Sequence, residues 1–183
     1  MPVDPNALAT WANAVTVSRI LVSPLMFTAI PSAVGGRWVG SWWAVALWFV
    51  LCVSDSLDGY LARRHGTTRS GAFLDPLADK VLVLGAMFTL VNRGMFALGL
   101  VLVIAARELI VSIYRVVVGS HGVSVPASRL AKVKTLSQQL SVGFILLPWT
   151  AMSTWLWDGL LWLAVALTVL SGAQYAVRAL RPA

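Results

Sequence analysis

Four aspartates, Asp55, Asp58, Asp75 and Asp79, crowd into one short part of a 183-residue chain that has only seven acidic residues in all. They lie in the stretches DSLDGYLAR (55–63) and GAFLDPLAD (71–79), beside apolar runs long enough to cross a bilayer. On a helix turning about 100° per residue, Asp55, Asp58, Gly59 and Ala62 share one face. Gly71, Asp75 and Asp79, spaced i, i+4 and i+8, form a similar stripe on the next helix, and the short connection RRHGTTRS lets the two stripes converge as antiparallel neighbours. Carboxylates packed together repel strongly at low dielectric, so a cation must neutralise them. An all-oxygen donor set suits hard divalent ions such as Mg²⁺, Mn²⁺ or Ca²⁺ rather than zinc. Four carboxylates suit a two-metal site that clamps the attacking and leaving oxygens of a phosphoryl displacement. Two other readings of the same acids stay open. They could pair with arginines at helix ends, or line a proton or cation pathway. A pathway does not explain why Gly59, Ala62 and Gly71 share the stripes; small residues there admit a bulky ligand, or simply pack helix on helix.

The elements that hold these residues follow from composition. The chain is 58% hydrophobic and 11% charged, whereas charged residues make up about a quarter of a soluble domain. Runs such as WVGSWWAVALWFVLCVS and LLWLAVALTVLSGAQYAV approach the roughly 20 apolar residues of a spanning helix. Backbone groups in hydrocarbon must pair within their own segment, so these runs predict helices. The expected fold is an all-α integral membrane protein with six transmembrane helices, at 12–34, 38–63, 71–92, 94–118, 129–152 and 157–178. A short interfacial segment, 2–11, precedes them. Turn-forming or polar stretches (GGR, RRHGTTRS, NRG, GSHGVSVPAS and STWLWDG) separate the spans. Nothing marks a second domain or a repeat, so residues 1–183 are expected to form one membrane-embedded catalytic domain, with the bundle over 12–178. The start MPVDPNALATWANAV lacks a basic n-region, so no cleaved signal peptide is expected. The single cysteine, Cys52, cannot form an intramolecular disulfide and says nothing about redox compartment.

Charge orients the bundle. With both termini in the cytoplasm, Arg63, Arg64 and Arg69 fall in one inner connection. Arg115, Arg129, Lys132 and Lys134 flank the next, and Arg178 and Arg181 lie in the tail. Only Arg37 and Arg93 remain outside, as the positive-inside rule requires. The net charge of +7 is thereby accounted for without a nucleic-acid partner. Trp38, Trp42 and Trp43 are expected to face Trp149, Trp155 and Trp157 as an aromatic belt at the outer boundary. The acids then sit at the cytoplasmic ends of the second and third helices.

The two acidic stretches resemble the signature of the CDP-alcohol phosphotransferase family, DxxDGxxAR, a spacer, then GxxxDxxxD. Seven residues separate Arg63 from Gly71, one fewer than the family pattern, and the difference falls in a loop. The resemblance implies a six-helix membrane fold, usually a homodimer. It also implies an active site near the cytoplasmic face, where a CDP-linked lipid and an alcohol give a phosphodiester lipid and CMP. On that reading Asp55, Asp58, Asp75 and Asp79 hold two divalent cations, Mg²⁺ or Mn²⁺, with Ca²⁺ as an inhibitory or structural substitute. Gly59, Ala62, Arg63 and Gly71 line the CDP site, and Asp79 also takes the proton of the acceptor hydroxyl.

Outside the signature the chain resembles the branch of that family called phosphatidylglycerophosphate synthases. The first helix carries NAVTVSRILVSP, similar to their N-x-x-T-x-x-R start, which adds Asn13 and Thr16 to the CDP site. ARELIVSIYR and VPASRLAKVKTLSQ resemble their RE…R and VPAS…K-x-K-T elements. The resemblance implies CDP-diacylglycerol and glycerol 3-phosphate as substrates, phosphatidylglycerophosphate and CMP as products, and the bacterial cytoplasmic membrane as location. The residues agree with an anionic acceptor. Arg107 and Arg115, eight apart, project from one helical face, with Glu108 near enough to orient one of them. With Lys132 and Lys134 they could surround a phosphate, although inner-face anchoring and snorkelling account for such residues too. Arg19, inside an apolar run, is expected to face the bundle interior. Phosphatidylglycerol or inositol phosphate as acceptor, and a cation or proton transporter using the same acids, remain alternatives. His65 and His121 are expected in solvent, Tyr114 in interfacial packing, and the C-terminal forty or so residues as generic apolar helix.

Overall fold

A computed structural model of the chain describes residues 11–32, 38–65, 69–120 and 129–180, with the side chains of 11–13, 55–65, 69–76, 119–120, 129 and 178–180 outside that description. The described residues form six helices and no strand. These are α1 (Trp11–Ala29), α2 (Trp42–His65), α3 (Arg69–Asn92), α4 (Leu98–Ser120), α5 (Arg129–Leu146) and α6 (Thr154–Leu180). All six expected helices are present, and their ends are set by local chemistry. α1 stops at Ala29 rather than at 34 because Pro31 follows, and a proline cannot continue the hydrogen-bond ladder. α2 starts at Trp42 rather than at 38, where the Ser41 hydroxyl accepts from the Ala44 amide at 3.3 Å and caps the first turn. α5 stops at Leu146 rather than at 152, ahead of Pro148. The Thr150 hydroxyl donates to the Phe144 carbonyl at 2.6 Å, satisfying one of the terminal acceptors.

α3 closes with a Schellman turn. Gly94 adopts φ +74°, its amide donates to Val91 O at 2.9 Å, and the Met95 amide donates to Leu90 O at 2.9 Å. That left-handed step favours a residue without a Cβ.

The described parts of the connections α1–α2, α3–α4 and α5–α6 gather at one end of the bundle. Arg93 Nη1 donates to Ser32 Oγ there, and Ser41 N donates to Leu146 O at 2.8 Å. The Trp42 and Trp149 rings meet edge to face at 5.0 Å. Of the six tryptophans expected in an aromatic belt, Trp42, Trp43, Trp149 and Trp155 are exposed, but Trp38 and Trp157 are buried. Their indoles donate to Ile145 O at 2.8 Å and Ala151 O at 3.2 Å. An apolar ring with one N–H donor suits a core whose loop carbonyls need a partner, so these two are structural.

α5 packs most extensively on α6, and α1 lies against both α3 and α2. The core runs through Met26, Trp48, Leu82, Met87, Ile145 and Leu161. The outward faces are apolar as well, with Leu21, Phe49, Ile110 and Trp162 exposed. Among the described residues one stretch, Thr154–Val177 in α6, is long and apolar enough by length and composition to cross a membrane, and Ala14–Ala29 and Trp42–Ser54 are shorter apolar stretches. In α4 the apolar run is interrupted by Arg107, Glu108 and Arg115, and these polar residues build the site.

Candidate active site

Asp55 and Asp58 lie one turn apart on α2, and Asp75 and Asp79 one turn apart on α3. The side chains of Asp55, Asp58, Gly59, Ala62, Arg63, Gly71, Asp75 and Asn13 fall outside the described residues, as do His65 and His121. Asp79 is described. It is half-buried on α3, within electrostatic reach of Lys80 beside it and of Lys134 on α5. Among the described residues no three His, Cys, Asp or Glu side chains gather, and three of the four aspartates lie outside that set. The donor chemistry that can be read, two pairs of carboxylates each on one helix, fits hard divalent cations.

The start of the acidic stretch is braced from α1. Arg19 is 1% exposed, in the interior as expected, and its Nε donates to Ser54 Oγ at 3.2 Å, one residue before Asp55. Ser54 Oγ in turn donates to Leu51 O at 2.8 Å. Thr16, one turn before Arg19, is fully buried. Ser23 Oγ donates to Arg19 O at 2.7 Å, so Thr16, Arg19 and Ser23 form a polar interior stripe on α1.

A basic cluster adjoins Asp79. On α4, Arg107 Nη1 donates to Glu108 Oε1 at 3.3 Å. Lys134 of α5, 2% exposed, donates to the same oxygen. Arg115 is within electrostatic reach of both Lys80 and Arg107. Four cations (Lys80, Arg107, Arg115 and Lys134) thus meet two carboxylates (Asp79 and Glu108). Among the described side chains, cations outnumber carboxylates here, an arrangement able to take up an anion. Arg107 carries the clearest sign of one, because its Nε and Nη2 are buried without a hydrogen-bond partner. Buried donors are seldom left unpaired. The Gln138 Nε2, one turn beyond Lys134 on α5, is likewise buried and unpartnered. Lys132 lies on the exposed side of α5, away from Lys134.

Several of these residues escape a reading of the sequence. Lys80 sits one position off the aspartate stripe, and Gln138 looks like one more polar residue in TLSQQLS. The C-terminal helix is not generic. Tyr175 of α6 lies under the Arg107 guanidinium, 5.4 Å from carbon to ring centroid. A Cβ on Gly172 would sit 3.5 Å from Arg107 Cγ. The signal was available, since Thr168, Ser171, Gly172 and Tyr175 recur at i, i+3, i+4 and i+7 and mark a small, polar face. Tyr114 meets the Tyr175 ring edge-on at 6.5 Å.

The family model described as CDP-alcohol phosphatidyltransferase matches residues 9–170. A probable phosphatidylglycerophosphate synthase of Mycobacterium tuberculosis (strain H37Rv) is 34% identical over 175 residues, covering 95% of this chain and 83% of that protein. A CDP-diacylglycerol–glycerol-3-phosphate 3-phosphatidyltransferase of Bacillus subtilis (strain 168) is 36% identical, covering 89% of this chain and 91% of its own length. One of the same name from Rickettsia felis is 35% identical over 183 residues, covering 96% of each chain.

Proposed function

The chain belongs to the CDP-alcohol phosphatidyltransferase family, and from that premise we propose that it transfers the phosphatidyl group of CDP-diacylglycerol to glycerol 3-phosphate. The products are phosphatidylglycerophosphate and CMP. The relatives bear the names of that activity. The observation that carries the choice of acceptor is Arg107, whose two buried, unpartnered donors lie in a cation-rich cluster beside Asp79.

In this reading Arg107 grips the phosphate of glycerol 3-phosphate through its fork of N–H groups, and Lys134 adds a point charge. Arg115 lends field strength, and Lys132 draws the anion in from the exposed side. The acceptor hydroxyl is then presented to Asp79, which takes its proton. The oxygen attacks the phosphorus that carries diacylglycerol, the bond to CMP breaks, and CMP leaves with the electron pair. Asp55, Asp58, Asp75 and Asp79 would hold two divalent cations, Mg²⁺ or Mn²⁺, which supply charge stabilisation at the diphosphate. Asn13, Thr16, Gly59, Ala62, Arg63 and Gly71 line the CDP site, where small residues let the nucleotide approach the backbone.

All six helices cross the bacterial cytoplasmic membrane in this proposal, with both termini and the site on the cytoplasmic side. Residues 1–183 act as one catalytic domain, working as a homodimer. The exposed apolar residues around the bundle support lipid contact. The lipid tails enter sideways between helices, and glycerol 3-phosphate arrives from the cytoplasm.

The test is CMP release by purified protein in detergent with CDP-diacylglycerol, Mg²⁺ or Mn²⁺, and separate acceptors. Release is expected with glycerol 3-phosphate and not with phosphatidylglycerol or inositol phosphate. Chelation should abolish it, and added Mg²⁺ or Mn²⁺ should restore it. Asp55→Ala, Asp58→Ala and Asp75→Ala should each abolish turnover. No acceptor-dependent CMP release, together with ion flux in liposomes, would reject the enzyme in favour of a transporter.

A further inference from the structure

Arg107 is held from three sides. Its Nη1 is bound to Glu108, and its stem runs along α6 at Gly172. The guanidinium carbon lies over the Tyr175 ring, 5.4 Å from the centroid. A cation held over an aromatic ring is attracted by the ring's π cloud without spending a conventional hydrogen bond on it. Nε and Nη2, the two nitrogens without a partner, lie along the same edge of the guanidinium plane. This is the edge that meets a phosphate with two parallel hydrogen bonds. The ring is itself fixed, since Tyr175 is buried and Tyr114 of α4 packs against it edge-on at 6.5 Å and 71°.

We infer that Tyr175 is a positioning residue for the acceptor. Its ring face keeps the Nε–Nη2 edge of Arg107 turned toward an incoming phosphate and away from a two-toothed pairing with Glu108. This rests on the reading of Arg107 as the acceptor-phosphate grip. It gives α6, which lies outside the aspartate signature, a part in acceptor recognition.

The experiment measures KM for glycerol 3-phosphate, KM for CDP-diacylglycerol and kcat in a set of variants whose folding is followed by melting in detergent. Tyr175→Leu should raise KM for glycerol 3-phosphate about tenfold and leave kcat and KM for CDP-diacylglycerol unchanged. Tyr175→Phe keeps the ring and should behave as the native protein. In an Arg107→Ala background, Tyr175→Leu should add nothing further. Replacing Tyr175 by phenylalanines of increasing ring fluorination weakens the π face at nearly constant shape. KM for glycerol 3-phosphate should then climb step by step, a readout that survives if Tyr175→Leu does not fold. A flat fluorination series, or Tyr175→Phe as impaired as Tyr175→Leu, overturns the role of the ring. If Arg107→Ala raises KM for glycerol 3-phosphate while Tyr175→Leu does not, the inference fails and the acceptor reading stands. If Arg107→Ala leaves it unchanged, the acceptor reading itself falls.

Discussion

Glu108 holds two cations with one oxygen, Arg107 from its own helix and Lys134 from α5. Lys134 is almost wholly buried, so removing the carboxylate it donates to leaves a buried ammonium among other cations. Glu108→Ala is expected to destabilise the protein by about 3 kcal/mol, read as a lower melting temperature in detergent. A Glu108→Met, Lys134→Met double variant removes both charges at similar volume and should regain most of that stability. It should still lack glycerol 3-phosphate-dependent CMP release. Recovery of both properties would mean that the pair serves the fold alone. Arg107→Ala is expected to raise KM for glycerol 3-phosphate by roughly 10- to 100-fold, the scale of a lost charged, two-toothed contact, with KM for CDP-diacylglycerol kept. At this scale the sequence was partly legible. Arg107, Glu108 and Lys134 stand out as charges within apolar runs. Gln138 does not, because burial alone distinguishes it, and the spacing that marks the face of Tyr175 does not say that Arg107 lies over its ring.

Helices α5 and α6 and the loop that leads into α2 fit with little room. A Cβ on Gly40 would fall on the Leu146 carbonyl oxygen and 2.6 Å from Pro148 N. Both are backbone atoms at the end of α5 that cannot step aside. Gly40→Ala is therefore expected to cost about 1–3 kcal/mol, seen as a lower melting temperature. Gly143→Ala makes a useful contrast. Its new methyl would meet the Trp48 indole nitrogen at 3.5 Å, an ordinary contact, and melting should be unchanged. Gly85 lies against the Phe27 ring on α1, so Gly85→Ala should destabilise and Phe27→Leu should partly rescue it. Equal melting of the Gly40 and Gly143 variants would refute this packing. The existence of six helices could be read from apolar runs and their breaks. Their ends could not, because Pro31, Ser41 and Pro148 act over one or two residues, too locally for hydropathy to register.

At the scale of the whole molecule, the proposed orientation puts the basic connections in the cytoplasm and the aromatic-rich turns outside. Cys52 is the single cysteine, so a Cys52→Ser background permits site-directed labelling. Cysteine placed at Trp149 should react with an impermeant reagent from outside intact cells, and cysteine placed at Lys132 only after the membrane is opened. Labelling of both from one side would sink the proposed orientation. Composition alone made the chain apolar and helical, and the spacing of four aspartates suited a two-metal site for phosphoryl displacement. Both properties are periodic or local, and a linear string preserves them. The string does not carry distances between helices. Folding brought Lys134 of α5 to Glu108 of α4, buried two tryptophans that composition assigns to a belt, and laid Tyr175 of α6 under Arg107. Those outcomes depend on which faces meet once the helices pack, and packing is settled by all six helices together.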